Sequence, residues 1–161
     1  MNITFIGGGN MASAIIGGLL GAKKAAPTSL QVVDTDLHAR HRIERAFPGV
    51  RCFEKSHGNI PGQAVVVLAV KPQHVKDAVQ NLGVDTHSNL IISIAAGVTL
   101  TMLARWRSGH TRMVRAMPNT PALVGAGVTA LYALPGLGQQ DRDQNRIAHS
   151  HVQCNSSRAT H

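Results

Sequence analysis

Three consecutive glycines, Gly7-Gly8-Gly9, stand directly after the apolar run Ile3 to Ile6 and directly before a helical stretch from about Asn10 to Leu20. The segment Gly7-Gly8-Gly9-Asn10-Met11-Ala12 fits the spacing G-x-G-x-x-A between a strand and a helix. Gly7 permits the tight turn out of the strand, and Gly9 leaves the backbone bare where a pyrophosphate would approach. Ala12 is small enough for close helix-to-strand packing, while Ile6, Asn10 and Met11 flank the same turn. The first helical turn offers N–H groups with no intrahelical partner and the positive end of the helix dipole. Glycines also serve purely conformational ends. Here the strand before, the helix after and the acid that ends the next strand, Asp34, complete the context of a dinucleotide site.

Asp34 stands where a carboxylate would accept hydrogen bonds from the adenosine ribose hydroxyls, and it would repel a 2′-phosphate. On its own it favours NADH over NADPH. The competing reading is a helix N-cap, for which Asp34, Thr35 or Asp36 would each serve. Arg40 and Arg42 follow one to two turns later, either within reach of a 2′-phosphate or facing solvent.

The rest of the chain repeats the strand-then-helix pattern. Leu30 to Val33 reads as a second strand, Leu37 to Phe47 as a helix stopped by Pro48-Gly49, and Val50 to Phe53 as a short strand. Ala64 to Val70 is apolar on both faces, as a strand in the middle of a covered sheet must be. Pro72 starts a helix expected to run to Leu82. Asn89 to Ile94 is a further buried strand and Thr99 to Trp106 a helix. Arg112 to Met117 is a sixth strand ended by Pro118, and Val128 to Ala133 an edge strand. In the first helix Met11, Ala14, Ile15 and Gly18 are expected to share the buried face. The fold class is α/β: a Rossmann-type, doubly wound, mostly parallel sheet with helices on both faces.

Charge and composition narrow the partners. A net charge of +8 and a pI near 10.5 invite a polyanion. The basic residues are scattered, though, with loose clusters at His38-Ala39-Arg40-His41-Arg42 and Arg105-Trp106-Arg107, and aromatic side chains for base stacking make up only 3%. No nucleic acid is expected; an anionic nucleotide accounts for the charge as well. No apolar run approaches the roughly 20 residues of a membrane span, and the N-terminus has no basic leader. With Cys52 and Cys154 far apart, a reduced, cytoplasmic protein is expected.

Four segments in order carry a family resemblance: Ile6 to Ile15, Ala69-Val70-Lys71-Pro72-Gln73, Ile94-Ala95-Ala96-Gly97-Val98 and Arg115-Ala116-Met117-Pro118-Asn119-Thr120-Pro121. Together they resemble the successive motifs of pyrroline-5-carboxylate reductases, over residues 1 to about 134. The resemblance implies NAD(P)H-dependent reduction of a small-molecule imine, 1-pyrroline-5-carboxylate, to proline, with NADPH as the family's cofactor. By the same resemblance Ile6 to Met11 would line the pyrophosphate, and Ser56 would touch the adenosine. Ala69, Val70, Lys71 and Pro72 would lie along the ribose and nicotinamide, with Ala95, Ala96 and Gly97 as the floor. Met117, Pro118 and Asn119 would border the site of hydride transfer. No catalytic residue is assigned. Related imine and 3-hydroxyacid oxidoreductases share the glycine turn, but the segment from Met117 to Pro121 argues against them. A non-catalytic dinucleotide-binding remnant is the remaining alternative.

Two departures stand out. Asp34-Thr35-Asp36 replaces the polar or basic residue the family often has after its second strand. The helical domain through which the family forms homo-oligomers and holds the substrate carboxylate has no counterpart here, so little activity is expected of this chain alone. Residues 1–134 are read as the NAD(P)-binding domain and 135–161 as a polar, disordered tail. The change of composition near Leu134 to Gly136 has the character of a frameshift. His149, His151, Cys154 and His161 in that tail match no closed zinc site, and no metal is expected.

Overall fold

The computed structural model describes residues 1–83, 88–108, 112–118 and 129–133, with the backbone alone at 117–118 and 129–132. Seven strands form one sheet: β1 (Ile3–Ile6), β2 (Leu30–Val33), β3 (Arg51–Phe53), β4 (Val65–Leu68), β5 (Leu90–Ser93), β6 (Met113–Pro118) and β7 (Thr129–Ala133). Their spatial order is β3-β2-β1-β4-β5-β6-β7. All neighbours through β6 pair in parallel, and β7 pairs antiparallel to β6 at the edge. The order reverses between β2 and β4 on either side of β1, which is the switch point where open α/β sheets hold their ligands.

Four helices cover the sheet: α1 (Asn10–Gly21), α2 (Leu37–Ala46), α3 (Val75–Gln80) and α4 (Leu100–Trp106). Successive residues of each strand point to opposite faces, and each face has its own core. Val65 and Val67 join Phe5, Ile92 and the helical residues Ile16 and Ile43 on one face. Val66 and Leu68 join Ile91, Val75, Val79 and Leu103 on the other. This explains the two-sided apolar character of β4, whose four residues are all buried.

Three expectations need correction. The buried face of α1 is Ala12, Ile16 and Leu19, not Met11, Ala14, Ile15 and Gly18. That helix is apolar almost all round, so periodicity could not choose its phase; the entry through Gly9 does. The helix expected from Pro72 to Leu82 is a 3₁₀ turn over Pro72–His74 followed by the short α3. Asn81 closes it early, its amide and side-chain nitrogen both donating to the Asp77 carbonyl at 3.1 and 2.8 Å. Finally, Pro118 does not lie beyond β6 but is its last residue, paired with Thr129. The expected tail with His149, His151, Cys154 and His161, and the start of the edge strand at Val128, lie outside the described residues.

Candidate functional site at the carboxyl edge of the sheet

The ladder continues one step past the carboxyl ends of the central strands. Gly7 donates to Val33 at 2.8 Å, Asp34 to Phe53 at 3.0 Å, Ala69 to Ile6 at 2.8 Å and Ile94 to Leu68 at 3.2 Å, all between backbones. These bonds draw the first residue after each of four strands into one rim. Gly7 has φ +101, and a Cβ there would lie 2.9 Å from both the carbonyl carbon and oxygen of Ala69. Only glycine tolerates both the torsion and the approach. Gly9 differs: its φ of −73 suits any residue, yet nothing lies within 4 Å of where its Cβ would be. The backbone is bare there and the space beside it open, the cradle that a diphosphate requires. Gly9 is also the N-cap of α1, no side chain caps that helix, and its first turn holds no acid. The amides of Asn10, Met11 and Ala12 therefore face the rim with the positive end of the dipole.

Asp34 ties the second crossover to this turn. Its Oδ2 accepts from the Gly8 amide at 2.6 Å and its Oδ1 from the Asp36 amide at 2.9 Å. The cap of α2 is Asp36, which accepts from the His38 amide at 2.9 Å. Two arginines of α2 reach the same corner. Arg40 donates to the carbonyls of Asp34 at 2.6 Å and Thr35 at 3.1 Å, and Arg42 donates to the Gly8 carbonyl at 3.3 Å. Beneath them Cys52 donates weakly from Sγ to the Arg40 carbonyl. Burial, with the Glu44 carboxylate adding, pushes the Cys52 thiol up to about 11. A thiol so poor in thiolate is not a nucleophile at neutral pH.

Across the rim, Ala69 and Val70 are half-buried, while Lys71 and Pro72 are exposed at the start of the 3₁₀ turn. Ala95 is buried; Ala96 and Gly97 are exposed, and Gly97 has φ +74 with nothing within 4 Å of its would-be Cβ. Ser93, fully buried at the end of β5, accepts from the Ala95 amide at 3.4 Å and shapes this turn. Sequence reasoning missed it; the signal was a polar residue closing an apolar strand.

A model of the family described as NADP oxidoreductase, coenzyme F420-dependent, matches residues 2–97. The chain belongs to this family. Within it, the curated relatives are pyrroline-5-carboxylate reductases, as the four motifs imply. The enzyme of Pasteurella multocida is 44% identical over 137 residues, 82% of this chain and 49% of that one. That of Haemophilus influenzae is 43% identical over 132 residues, 81% of this chain and 48% of that one. The chain thus spans about half the length of the curated relatives it matches. The solved pyrroline-5-carboxylate reductase of Coxiella burnetii superposes with a TM-score of 0.79 at 33% identity, over 97% of this chain and 59% of that one. The Plasmodium falciparum enzyme, solved with NADP bound, has a TM-score of 0.78 at 23% identity over 98% of this chain and 58% of that one, a likeness of fold.

The family match takes in every candidate residue from Ile6 to Gly97. Of these, Ile6 to Ala12, Asp34, Ala69 to Pro72 and Ala95 to Gly97 gather at the carboxyl edge. Ser56 does not join them: its hydroxyl donates to the Asn81 carbonyl at 2.7 Å, at the end of α3 directed away from that edge. Met117 and Pro118 finish β6 opposite Ala130 and Thr129. Asn119 lies outside the described residues. Among the described residues no helix is long and apolar enough to cross a membrane.

Proposed function

We propose that the chain holds a nicotinamide dinucleotide along the carboxyl edge of its sheet and is the cofactor half of a reductase converting 1-pyrroline-5-carboxylate to L-proline. The observation that carries this reading is the uncapped start of α1 facing open space at Gly9. The names of the relatives support the substrate. When bound, the reduced nicotinamide supplies a hydride for the imine carbon.

The chain's own residues bind and orient. The amides of Asn10, Met11 and Ala12 hold the diphosphate, beside the bare backbone of Gly9, and the rims Ala69 to Pro72 and Ala95 to Gly97 flank the ribose and nicotinamide. The end of β6 at Met117 and Pro118, with Asn119, borders the imine. Ser56 is proposed only as an outlying contact to the adenosine, reachable if it releases Asn81. An iminium takes up hydride without a nucleophile, so no catalytic residue is assigned; Lys71 contributes positive charge at the rim. Asp34 favours the unphosphorylated ribose, whereas the family description and the NADP-bound relative favour the phosphorylated one. Homo-oligomer contacts and the grip on the substrate carboxylate are proposed to come from the part of the relatives beyond the matched length, and residues 135–161 to take no part.

Titration of the purified 161-residue chain with NADH and NADPH, followed by nicotinamide fluorescence, tests the reading. Saturable binding with little turnover of pyrroline-5-carboxylate is the expected result. A folded chain that binds neither dinucleotide refutes the cofactor site. Efficient turnover would place the substrate grip within these residues.

A further inference from the structure

We infer that Ser93 and Arg115 form a carboxylate-binding site on the face of the sheet that α3 and α4 cover, beside the turn from Ala95 to Gly97. The inference stands apart from the dinucleotide reading, which uses neither side chain.

The last register row on this face runs across five strands. Val33 pairs with Ile6, Ile6 with Leu68, Leu68 with Ser93 and Ser93 with Arg115. Side chains two apart along a strand share a face. Ser93 therefore follows Ile91, and Arg115 follows Met113, on the side of the sheet that holds Val75, Val79 and Leu103. The row is apolar through Leu68 and then turns polar at two neighbouring positions. Adjacent strands stand about 4.8 Å apart, so the serine hydroxyl and the arginine stem lie side by side.

Both side chains hold donors that the described residues leave unspent. Ser93 is fully buried, and its hydroxyl takes part in one hydrogen bond, accepted from the Ala95 amide at 3.4 Å. A hydroxyl that only accepts keeps its own proton for another partner. Arg115 Nε is buried and has no hydrogen-bond partner among the described residues. The residue as a whole is half-buried, so part of its side chain is open to solvent. Leu68, Ala95, Val98 and Leu103 of the same cluster are apolar and buried. An N–H withdrawn among such groups is costly until an acceptor meets it.

The sequence withholds that acceptor. Residues 86–140, which supply β5, α4, β6 and β7, contain no Asp or Glu, while Arg105, Arg107, Arg112 and Arg115 fall within them. A carboxylate matches the pair: one negative charge for one positive, and two oxygens to share between the flat guanidinium and the serine proton. Apolar surroundings strengthen such bonds. Two sources carry this chemistry. One is a free imino or amino acid; the other is an acidic side chain of a further polypeptide segment, such as the part of the relatives beyond the matched length.

Nuclear magnetic resonance of the isotope-labelled 161-residue chain tests the site. The Arg115 Nε–H resonance is followed while sodium acetate, L-proline or sodium chloride is added at matched ionic strength. Acetate is expected to shift it saturably, with half-effect in the millimolar range, and chloride to leave it in place. Ser93→Ala is expected to weaken acetate about fivefold, one hydrogen bond being lost. Arg115→Met, which keeps an apolar stem, is expected to abolish the saturable acetate shifts at the Ser93 and Ala95 amides. L-proline stronger than acetate by about tenfold or more assigns the site to a free imino acid. No gain over acetate assigns it to a carboxylate alone, as an acidic side chain presents it; either outcome supports the site. An Nε–H that acetate and chloride move alike overturns the inference and leaves Arg115 a stem laid over the core. So does an acetate response that Ser93→Ala leaves unchanged. Should Arg115→Met fail to fold, the wild-type and Ser93→Ala titrations decide by themselves.

Discussion

The two edges of the sheet treat polar groups in opposite ways. In the amino-terminal half, side chains are stitched to one another across long stretches of sequence. Gln31 donates to the Thr4 hydroxyl at 2.9 Å and to the Asn59 carbonyl at 2.6 Å. Asn89 donates to the carbonyls of Pro61 and Ala64 at 3.0 and 3.1 Å, and Thr4, Gln31 and Asn89 are all buried. At the carboxyl edge the residues are small, α1 starts without a capping side chain, and open space lies beside Gly9 and Gly97. A buried polar group must find a partner within the protein or lose stability. The amino half satisfies that demand internally, whereas the carboxyl edge leaves donors for a ligand. One edge holds the loops in place, and the other stays ready to bind.

Substitutions can break this division of labour. The largest effect is expected from Gly7→Val, where a positive φ and a clash with the Ala69 backbone coincide. A loss upward of about 3 kcal/mol in urea unfolding would follow; a near-native midpoint would show that the turn is not pinned to β4. Gly9→Val should separate binding from folding. Its Cβ meets nothing within 4 Å, so stability should fall by no more than about 1 kcal/mol, while dinucleotide affinity should drop about 100-fold as the diphosphate loses its seat. Intact binding would mean that the cradle lies elsewhere.

Asn89→Ala is the reverse case. Two carbonyls at the foot of the sheet lose their partner, for about 2 kcal/mol of stability, with dinucleotide affinity unchanged; altered affinity would show that the edges are coupled. The smallest effect concerns Cys52, which lies between them. Its thiol is raised from 9.0 to about 11 in the fold. As pH rises, the unfolded thiol ionises first, so stability is fully present below about 9 and declines up to about 11. Melting curves at pH 8 and 10.5 should show this decline in wild type and a shallower one in Cys52→Ala.

Most of the sheet was legible because β4 is apolar on both faces and β1 and β5 are so but for Thr4 and Ser93, a pattern that a covered parallel sheet accommodates. The glycine turn was legible because its demands are local: a bend, a bare backbone and a small residue one turn on. The phase of α1 was not, since residues on every side of it are apolar. Nor were the duties of Asp34, Gln31 and Asn89. Their partners lie 25 or more residues away in sequence, apart from the local bonds of Asp34 to Asp36 and of Asn89 to Ser88. A side chain's type names its donors, but only the fold says which acceptor arrives. Ser93 shows the same limit at shorter range, because its hydroxyl matters only once the turn after β5 folds back over it.

The reversed direction of β7 has a consequence for anything joined after it. Ala133 pairs with Val114, near the start of β6, so β7 ends on the side opposite Gly9. A covalently attached segment meant to touch the nicotinamide end would first have to climb the height of the sheet, about 15–20 Å, which takes at least about five extended residues. A fluorescent label attached at Ala133 itself would accordingly sit on the far side of the sheet from Gly9.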